Sequence, residues 1–441
     1  MPSAAEQLAA NFNFSSFGKA KELRQRVLFT LGALIVARLG TYIPMPGIDP
    51  AEMARFINTQ GGGLLDVFNT LAGGAVQRMA IFALGIMPYI SASIIMQLMT
   101  TVFPELEALK KEGAAGQKVI NQYTRYGTVG LAAVQAFGIA VGLEQGQGIV
   151  LDPGMFFRMT AVVTLTGGTI LLMWIGEQIT SRGVGNGISL IIFAGIVARF
   201  PQILGQSLES ARTGATNPLM LIVFLVAAVA LVAFIVFMER AQRRLLVQYP
   251  KRQVGQRMFG GESSHLPLKL NVSGVIPPIF ASSILLMPMT IASFNAQSIP
   301  DWVQTVIIYL SRGHPVYLLT YGAMVIFFAF FYTSIVFNPV ETAENLKKYG
   351  GFIPGIRPGK KTADYIDYVL TRCTMVGALY LALVCLIPEY FQSDMSFALG
   401  GTSILIVVSV TMDTVAQIQG HLVAQQYEGL IKKAKLRGAR R

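Results

Sequence analysis

Ten apolar stretches dominate the chain, near residues 27–43, 79–102, 124–143, 157–176, 187–205, 219–238, 273–293, 316–337, 373–390 and 401–420. Each approaches the ~20 residues with which an α-helix crosses a hydrocarbon core of ~30 Å. A helix satisfies its own backbone hydrogen bonds, which lipid cannot do. Hydrophobic residues make up 53% of the 441 positions and charged residues 13%, against ~25% charged in soluble domains. The chain therefore reads as an all-α polytopic membrane protein with ten transmembrane helices.

Charge orients those helices. Four basic residues lie between Lys19 and Arg26, four between Lys110 and Arg125, seven between Arg240 and Lys269, six between Lys347 and Arg372 and six between Lys432 and Arg441, with Arg182 in the remaining loop of that side. The opposite side carries only Arg55, Arg78, Arg158, Arg199, Arg212 and Arg312. By the positive-inside rule both termini are cytoplasmic, and the net charge of +12 belongs to one membrane face rather than to a nucleic-acid-binding domain. No cleavable leader is visible: the first apolar run follows some 26 polar and mixed residues and is long enough to stay as a span. Cys373 and Cys385 fall on one span, ~18 Å apart along a helix and beyond disulfide reach.

The expected organisation is a cytoplasmic N-terminal segment (1–26), an N-terminal half with five spans (27–212), a hinge at TGATNP (213–218), a C-terminal half with five spans (219–420) and a basic cytoplasmic tail (421–441). Two five-helix halves would be inverted with respect to one another, and their sequence symmetry weak. Two basic cytoplasmic loops, 239–270 and 338–371, are long. In the second, Gly355, Pro358 and Gly359 predict a tight turn presenting Arg357. Basic loops of this kind either meet anionic headgroups and fix topology or dock a large cytoplasmic partner.

Chemical motifs are missing. The chain has no HExxH, P-loop, Cys/His metal spacing or dinucleotide fingerprint, so no enzyme, cofactor or metal site is expected. Ionisable residues within spans are scarce, Arg38 and Asp413 being the clearest, whereas ion-coupled carriers place such groups at depth. A ten-helix secondary transporter of a small solute with broken helices is the alternative on residues alone. The second span is irregular: Gly85, Pro88, Tyr89, Ser91, Ser93 and Gln97 interrupt an otherwise uncharged run from Phe82 to Met99, and GGAVQR at 73–78 breaks the chain just before it. Ile86 and Ile90, like Ile188 and Ile192, are paired at i, i+4 and share helix faces, an arrangement most often found in core or against lipid.

That irregular stretch, FALGIMPYISASIIMQL, closely resembles a signature of the SecY family, the channel subunits of the bacterial protein-conducting translocon. IPMPGID (43–49), EGAAGQKVINQYTRYGT (112–128), WIGEQITSRGVGNGISLIIFAGIV (174–197), SHLPLKLN (264–271), GVIPPIFASSI (274–284), FNPVETAENLKK (337–348), PGIRPG (354–359) and FALGGTSILIVVSVTMD (397–413) resemble family motifs in family order. The resemblance implies two pseudo-symmetric inverted halves around an hourglass pore, with a plug and a lateral gate, in the bacterial inner (plasma) membrane. It implies a pore ring of Ile86, Ile90, Ile188, Ile192, Ile279 and Ile406, six stiff β-branched side chains in a constriction that resists wetting.

The resemblance further implies a plug at 64–78, centred on Leu65, Asp66, Val67, Phe68, Asn69, Thr70, Leu71 and Ala72. It implies a lateral gate bordered by Ser91, Ser93, Gln97, Gln135 and Asn271, whose interhelical bonds are individually weak, ~0.6 kcal/mol. Arg252, Arg257, Arg357, Lys360 and Lys361 are implied in docking the SecA motor ATPase or the ribosome. Further implied partners are the SecE and SecG subunits, signal sequences and nascent polypeptides, and membrane lipids. Where many relatives carry adjacent arginines at the tip of the earlier loop, this chain has Gln256 before Arg257, which weights docking toward Arg357. The implied function is passive conduction of unfolded secretory polypeptides across the membrane and lateral release of membrane segments into lipid.

Overall fold

The computed structural model describes residues 21–49, 51–53, 55, 69, 72–145, 148–214, 218–249, 252–254, 257–259, 263–294, 309, 314–392 and 400–438. Its helices are α1 (Lys21–Gly40), α2 (Met87–Val102), α3 (Pro104–Lys111), α4 (Ala114–Gln145), α5 (Met155–Arg182), α6 (Gly187–Arg212), α7 (Pro218–Arg240), α8 (Ile276–Phe294), α9 (Pro315–Val336), α10 (Pro339–Lys348), α11 (Lys360–Gln392) and α12 (Gly401–Gly438). Among the described residues each of the ten apolar stretches carries a helix, and seven, α4 to α7, α9, α11 and α12, are long and apolar enough to cross a membrane. The chain is a multi-pass membrane protein. With 32, 33 and 38 residues, α4, α11 and α12 are ~48–57 Å long at 1.5 Å per residue, so their ends run past a ~30 Å hydrocarbon core.

The second span departs from the expected helix over 79–102. Helix α2 begins only at Met87, with Ile86 as N-cap and Pro88 in its first turn, where a missing N–H costs nothing. Residues 72–86 instead form linked turns, with Ala80 N–H donating to Ala75 O (2.9 Å), Ala83 to Ala80 (2.8 Å) and Gly85 to Phe82 (2.9 Å). Left-handed backbone at Gly73, Gly74, Met79 and Gly85 is what prevents a continuous helix. The segment is sheltered: Phe82, Ala83, Leu84 and Ile86 are each no more than 5% exposed.

Two compact units comprise the described residues. The first takes those within 1–204, 286–307 and 410–441, the second those within 205–285 and 308–409. In the first, α4 packs on α2 and α5, and α1 on α5. Its core joins Met45, Ile48 and Met79 from the connecting segments to Ala132, Ala136, Phe157 and Leu165 from α4 and α5. The α5–α6 turn is clamped by side chains: Val184 N–H donates to Thr30 Oγ1 (3.0 Å), Gly185 N–H to Gln417 Oε1 (3.0 Å) and Gly187 N–H to Thr180 Oγ1 (2.9 Å).

In the second unit α9 and α10 pack on α11. The loop following α7 contains β1 (Gln242–Gln248), β2 (Arg252–Val254), β3 (Arg257–Phe259) and β4 (Ser263–Lys269). Strands β1 and β4 pair antiparallel with Gln242 opposite Lys269 and Gln248 opposite Ser263, and β2 pairs with β3. Alternate residues of β1, Leu245 and Val247, turn inward and meet Leu268, Ala343, Ile353, Ala363 and Ile366 in one apolar cluster. The second basic loop joins this cluster through Phe352, which exchanges both backbone hydrogen bonds with Gln248 (2.9 and 3.0 Å). The two long basic loops thus share a core. Ile366 is fully buried there, and Ile366→Ala is expected to cost about 2–5 kcal/mol, read as faster tryptic cleavage after both Arg244 and Arg357; cleavage quickened in one loop alone would contradict the shared core.

Candidate pore, gate and docking surface

Ile86 and Ile90 lie one turn apart, Ile90 N–H donating to Ile86 O at 3.1 Å. They are 5% and 7% exposed, and Ile192 on α6 is 6% exposed. Ile188, half-buried in the first turn of α6, faces α5, because a Cβ built at Gly176 would stand 3.1 Å from its Cγ1. Within the first unit a concavity is lined by Ile86, Ile192, Ala72, Phe82, Leu172 and Arg38, among others. The structure thus brings Ile86 and Ile192 to one cavity beside Ala72, and leaves Ile90 and Ile188 off its lining. Ile279 on α8 is half-buried, and Ile406 on α12 is 1% exposed; both belong to the second unit.

Of the expected plug residues, Asn69 and Ala72 are described, whereas Leu65, Asp66, Val67, Phe68, Thr70 and Leu71 lie outside the described residues. Asn69 is 2% exposed. Its carbonyl accepts from Gly74 N–H (2.7 Å) and its Oδ1 from Gln77 N–H (3.0 Å), which ties Asn69 to residues 74 and 77.

The expected gate residues behave differently from one another. Ser91 is buried, and Ser93 and Gln97 on α2 are half-buried, as is Gln135 on α4. The side-chain oxygens of Gln97 and Gln135 are enclosed, and among the described residues neither accepts a hydrogen bond. Such a group forfeits about 1–3 kcal/mol. Asn271 is instead fully engaged within its own unit: Nδ2 donates to Glu239 Oε1 (2.7 Å) and Gly274 O (3.1 Å), and Oδ1 accepts from Ser273 Oγ (3.0 Å).

At the turn expected to serve docking, Ile356 N–H donates to Ile353 O at 3.1 Å, with Pro354 and a left-handed Gly355 (φ 81°) at the two central positions. This is a turn that requires φ > 0 at its third residue, hence glycine. Arg357 follows it, exposed, with its carbonyl held by the Thr362 hydroxyl (3.0 Å); Lys360 and Lys361 are exposed at the start of α11. Arg252 and Arg257 lie on β2 and β3, where Val254 is opposite Arg257. The strand pairs were not legible as β-structure, since an arginine-rich segment with only two inward residues carries a weak period-2 signal. In the first unit α3 is a charged surface helix, on which a hydrogen bond from Lys111 and then its charge lower the Glu107 pKa.

Comparison with known proteins identifies what carries these features. The family model described as SecY matches residues 80–415. The protein translocase subunit SecY of Escherichia coli (strain K12) is 54% identical over 440 residues, covering 98% of this chain and 99% of that one. Its counterpart in Vibrio cholerae serotype O1 is 54% identical over 425 residues, covering 95% and 96%. Among solved structures, one described as a protein conducting channel matches with a TM-score of 0.65 at 17% identity, covering 90% of this chain and 92% of that one. Sec61 in a canine ribosome–channel complex from the endoplasmic reticulum matches at 0.61 and 16%. At such identities the structural matches speak for the fold, and the sequence matches at 54% speak for descent: the chain belongs to the SecY family.

Proposed function

We propose that the chain is the central pore-forming subunit of a Sec translocon in the bacterial inner membrane, with both termini cytoplasmic. It conducts unfolded secretory polypeptides across the membrane and releases membrane segments sideways into lipid. The observation that carries this reading is near-full-length identity to SecY translocase subunits. The cavity lined by Ile86, Ile192 and Ala72 supports it physically. A ring of aliphatic side chains at the waist admits an extended peptide yet disfavours water and ions when narrow. The ring is completed, in this reading, by Ile90, Ile188, Ile279 and Ile406.

The gate reading rests on the unsatisfied amides. Among the described residues Gln97 and Gln135 hold enclosed oxygens without donors, the condition of a seam ready to exchange partners with a passing signal sequence. Asn271 enters this reading as an anchor of the α7–α8 connection rather than a free gate group, because its amide is already spent on Glu239, Gly274 and Ser273.

Energy comes from a partner, since the sequence carries no nucleotide-binding motif. In this reading the SecA motor and the ribosome dock on the paired basic loops, with SecE and SecG as companion subunits. A solved relative of this fold, Sec61, is seen in a ribosome–channel complex. An exposed guanidinium on a glycine-set turn suits an acidic partner because Arg donates a planar fork that carboxylate or phosphate accepts bidentately.

The reading is tested by photocrosslinking from a stalled precursor to probes at positions 86, 90, 192 and 279. Adducts at these positions are expected, and contact at none of them rejects the pore assignment. Replacing several of the six isoleucines with glycine is expected to raise ion conductance in planar bilayers without substrate. A folded multiple-glycine variant that stayed electrically silent would mean that these side chains face core or lipid. Arg357→Glu is expected to reduce motor-driven precursor transport by at least tenfold, the scale of losing one charge-assisted contact, while membrane insertion of the chain is retained; unimpaired transport removes Arg357 from the docking surface.

A further inference from the structure

The ionisable residue lying deepest in the first apolar stretch, Arg38, is not used by any part of the pore, gate or docking scheme. It sits two residues before the end of α1 and is half-buried. A cation at such a site is costly unless its head finds a partner. Arg38 turns inward: its guanidinium donates to the Gly73 carbonyl and lines the same cavity as Ile86, Ile192 and Ala72. Gly73 is itself left-handed (φ 65°), and a Cβ there would stand 2.9 Å from Gly195 Cα on α6, so only glycine lets its carbonyl reach the arginine.

The tether is reciprocal. Arg78, at the far end of the same turn, donates back to Thr41 O at 3.4 Å. Between the two arginines lies Tyr42, whose ring centroid is 5.3 Å from the Arg38 guanidinium carbon and 4.1 Å from that of Arg78, both within cation–π range. What these side chains hold is a segment of linked turns, Ala75 N–H donating to Ala72 O (3.3 Å) and Met79 N–H to Val76 O (3.0 Å), with Gly74 and Gln77 bonded to Asn69. Beyond it, backbone takes over: Met45 N–H donates to Met79 O (2.9 Å) and Ile81 N–H to Ile43 O (3.0 Å). Met79 and Ile81 are thus bolted to residues 43–45 by backbone, whereas Ala72–Arg78 is held by the Arg38 and Arg78 side chains and by apolar packing of Val76 and Ala72. Side-chain tethers release without dismantling a backbone ladder.

We propose that Arg38 is a positioning residue, which with Tyr42 and Arg78 clasps the segment Ala72–Arg78 and keeps Ala72 against the cavity that Ile86 and Ile192 line. The clasp biases the resting channel toward closure, and this last consequence rests on the pore reading above. Loss of the guanidinium frees the segment to swing about Met79 and unblocks the cavity.

The test uses the chain reconstituted with its partner subunits in proteoliposomes, with Ala72→Cys in a Cys373→Ala, Cys385→Ala background. Two quantities are read, the rate at which residue 72 reacts with a membrane-impermeant maleimide and the substrate-free ion conductance. Arg38→Gln is expected to raise the labelling rate roughly tenfold, the factor for one charge-assisted hydrogen bond, and to raise conductance with it. Arg38→Lys, which keeps a charged donor, is expected to restore most of the protection; a merely structural arginine would not be rescued this way. An unchanged labelling rate in folded Arg38→Gln overturns the clasp. Should that variant fail to assemble, Arg78→Gln at the more open end is expected to speed labelling to a smaller extent, and no change there overturns the clasp equally. If Arg38→Gln exposes residue 72 while the multiple-glycine ring variants remain silent, the clasp stands and the pore reading falls.

Discussion

A backbone amide or carbonyl in hydrocarbon has no water to turn to, and each one left unpaired costs several kcal/mol. The first unit is organised around an irregular segment, residues 72–86, that precedes α2. Residues 72–86 leave α-geometry yet stay satisfied, through short turns within the segment, the Asn69 carbonyl and side chain at one end, and backbone exchanges with Ile43 and Met45. Burying that irregular piece between α1, α5 and α6 makes it tolerable in a membrane. It also makes the piece useful, because a non-helical segment held by a few contacts can rearrange where a helix cannot.

The same economy of satisfaction separates the polar side chains of the span region into two classes. Asn271 is fully bonded, with Glu239, Gly274 and Ser273 as partners, and acts as a brace. Gln97 and Gln135 keep enclosed oxygens that accept no hydrogen bond among the described residues, at a standing cost. Residue type does not distinguish the classes, since all three are primary amides. The neighbours do.

In the two long basic loops the problem is the opposite one, how to hold charged chain in water. Their charges repel and offer little to bury, and surface ion pairs contribute little. The solution is a small apolar cluster beneath them, built from alternate residues of β1 with β4, α10 and α11, and a backbone bridge from Gln248 to Phe352. Arg357 is presented from a turn resting on this base, with Ile353 buried just before it. A charge held on a fixed platform loses less entropy on docking than one on a floppy loop.

The sequence alone determined the apolar stretches and their number, the side on which positive charge accumulates, and the motifs of the SecY family, because hydropathy, charge and motif spelling are local properties summed along the chain. It also determined the Gly355 turn that exposes Arg357, since a turn is specified by four neighbouring residues. It did not show that α2 starts at Met87 rather than near 79, that the first basic loop pairs into strands, that Asn271 is occupied by Glu239, or that Arg38 reaches across to Gly73. Each of these depends on groups distant in sequence: the carbonyls of Ile43 and Met79 exchanging with 81 and 45, Gln248 meeting Phe352, a carboxylate 32 positions away, a carbonyl 35 positions away. Periodicity ranks a residue by its neighbours in the chain, whereas a buried polar group is priced by whatever the tertiary fold places against it.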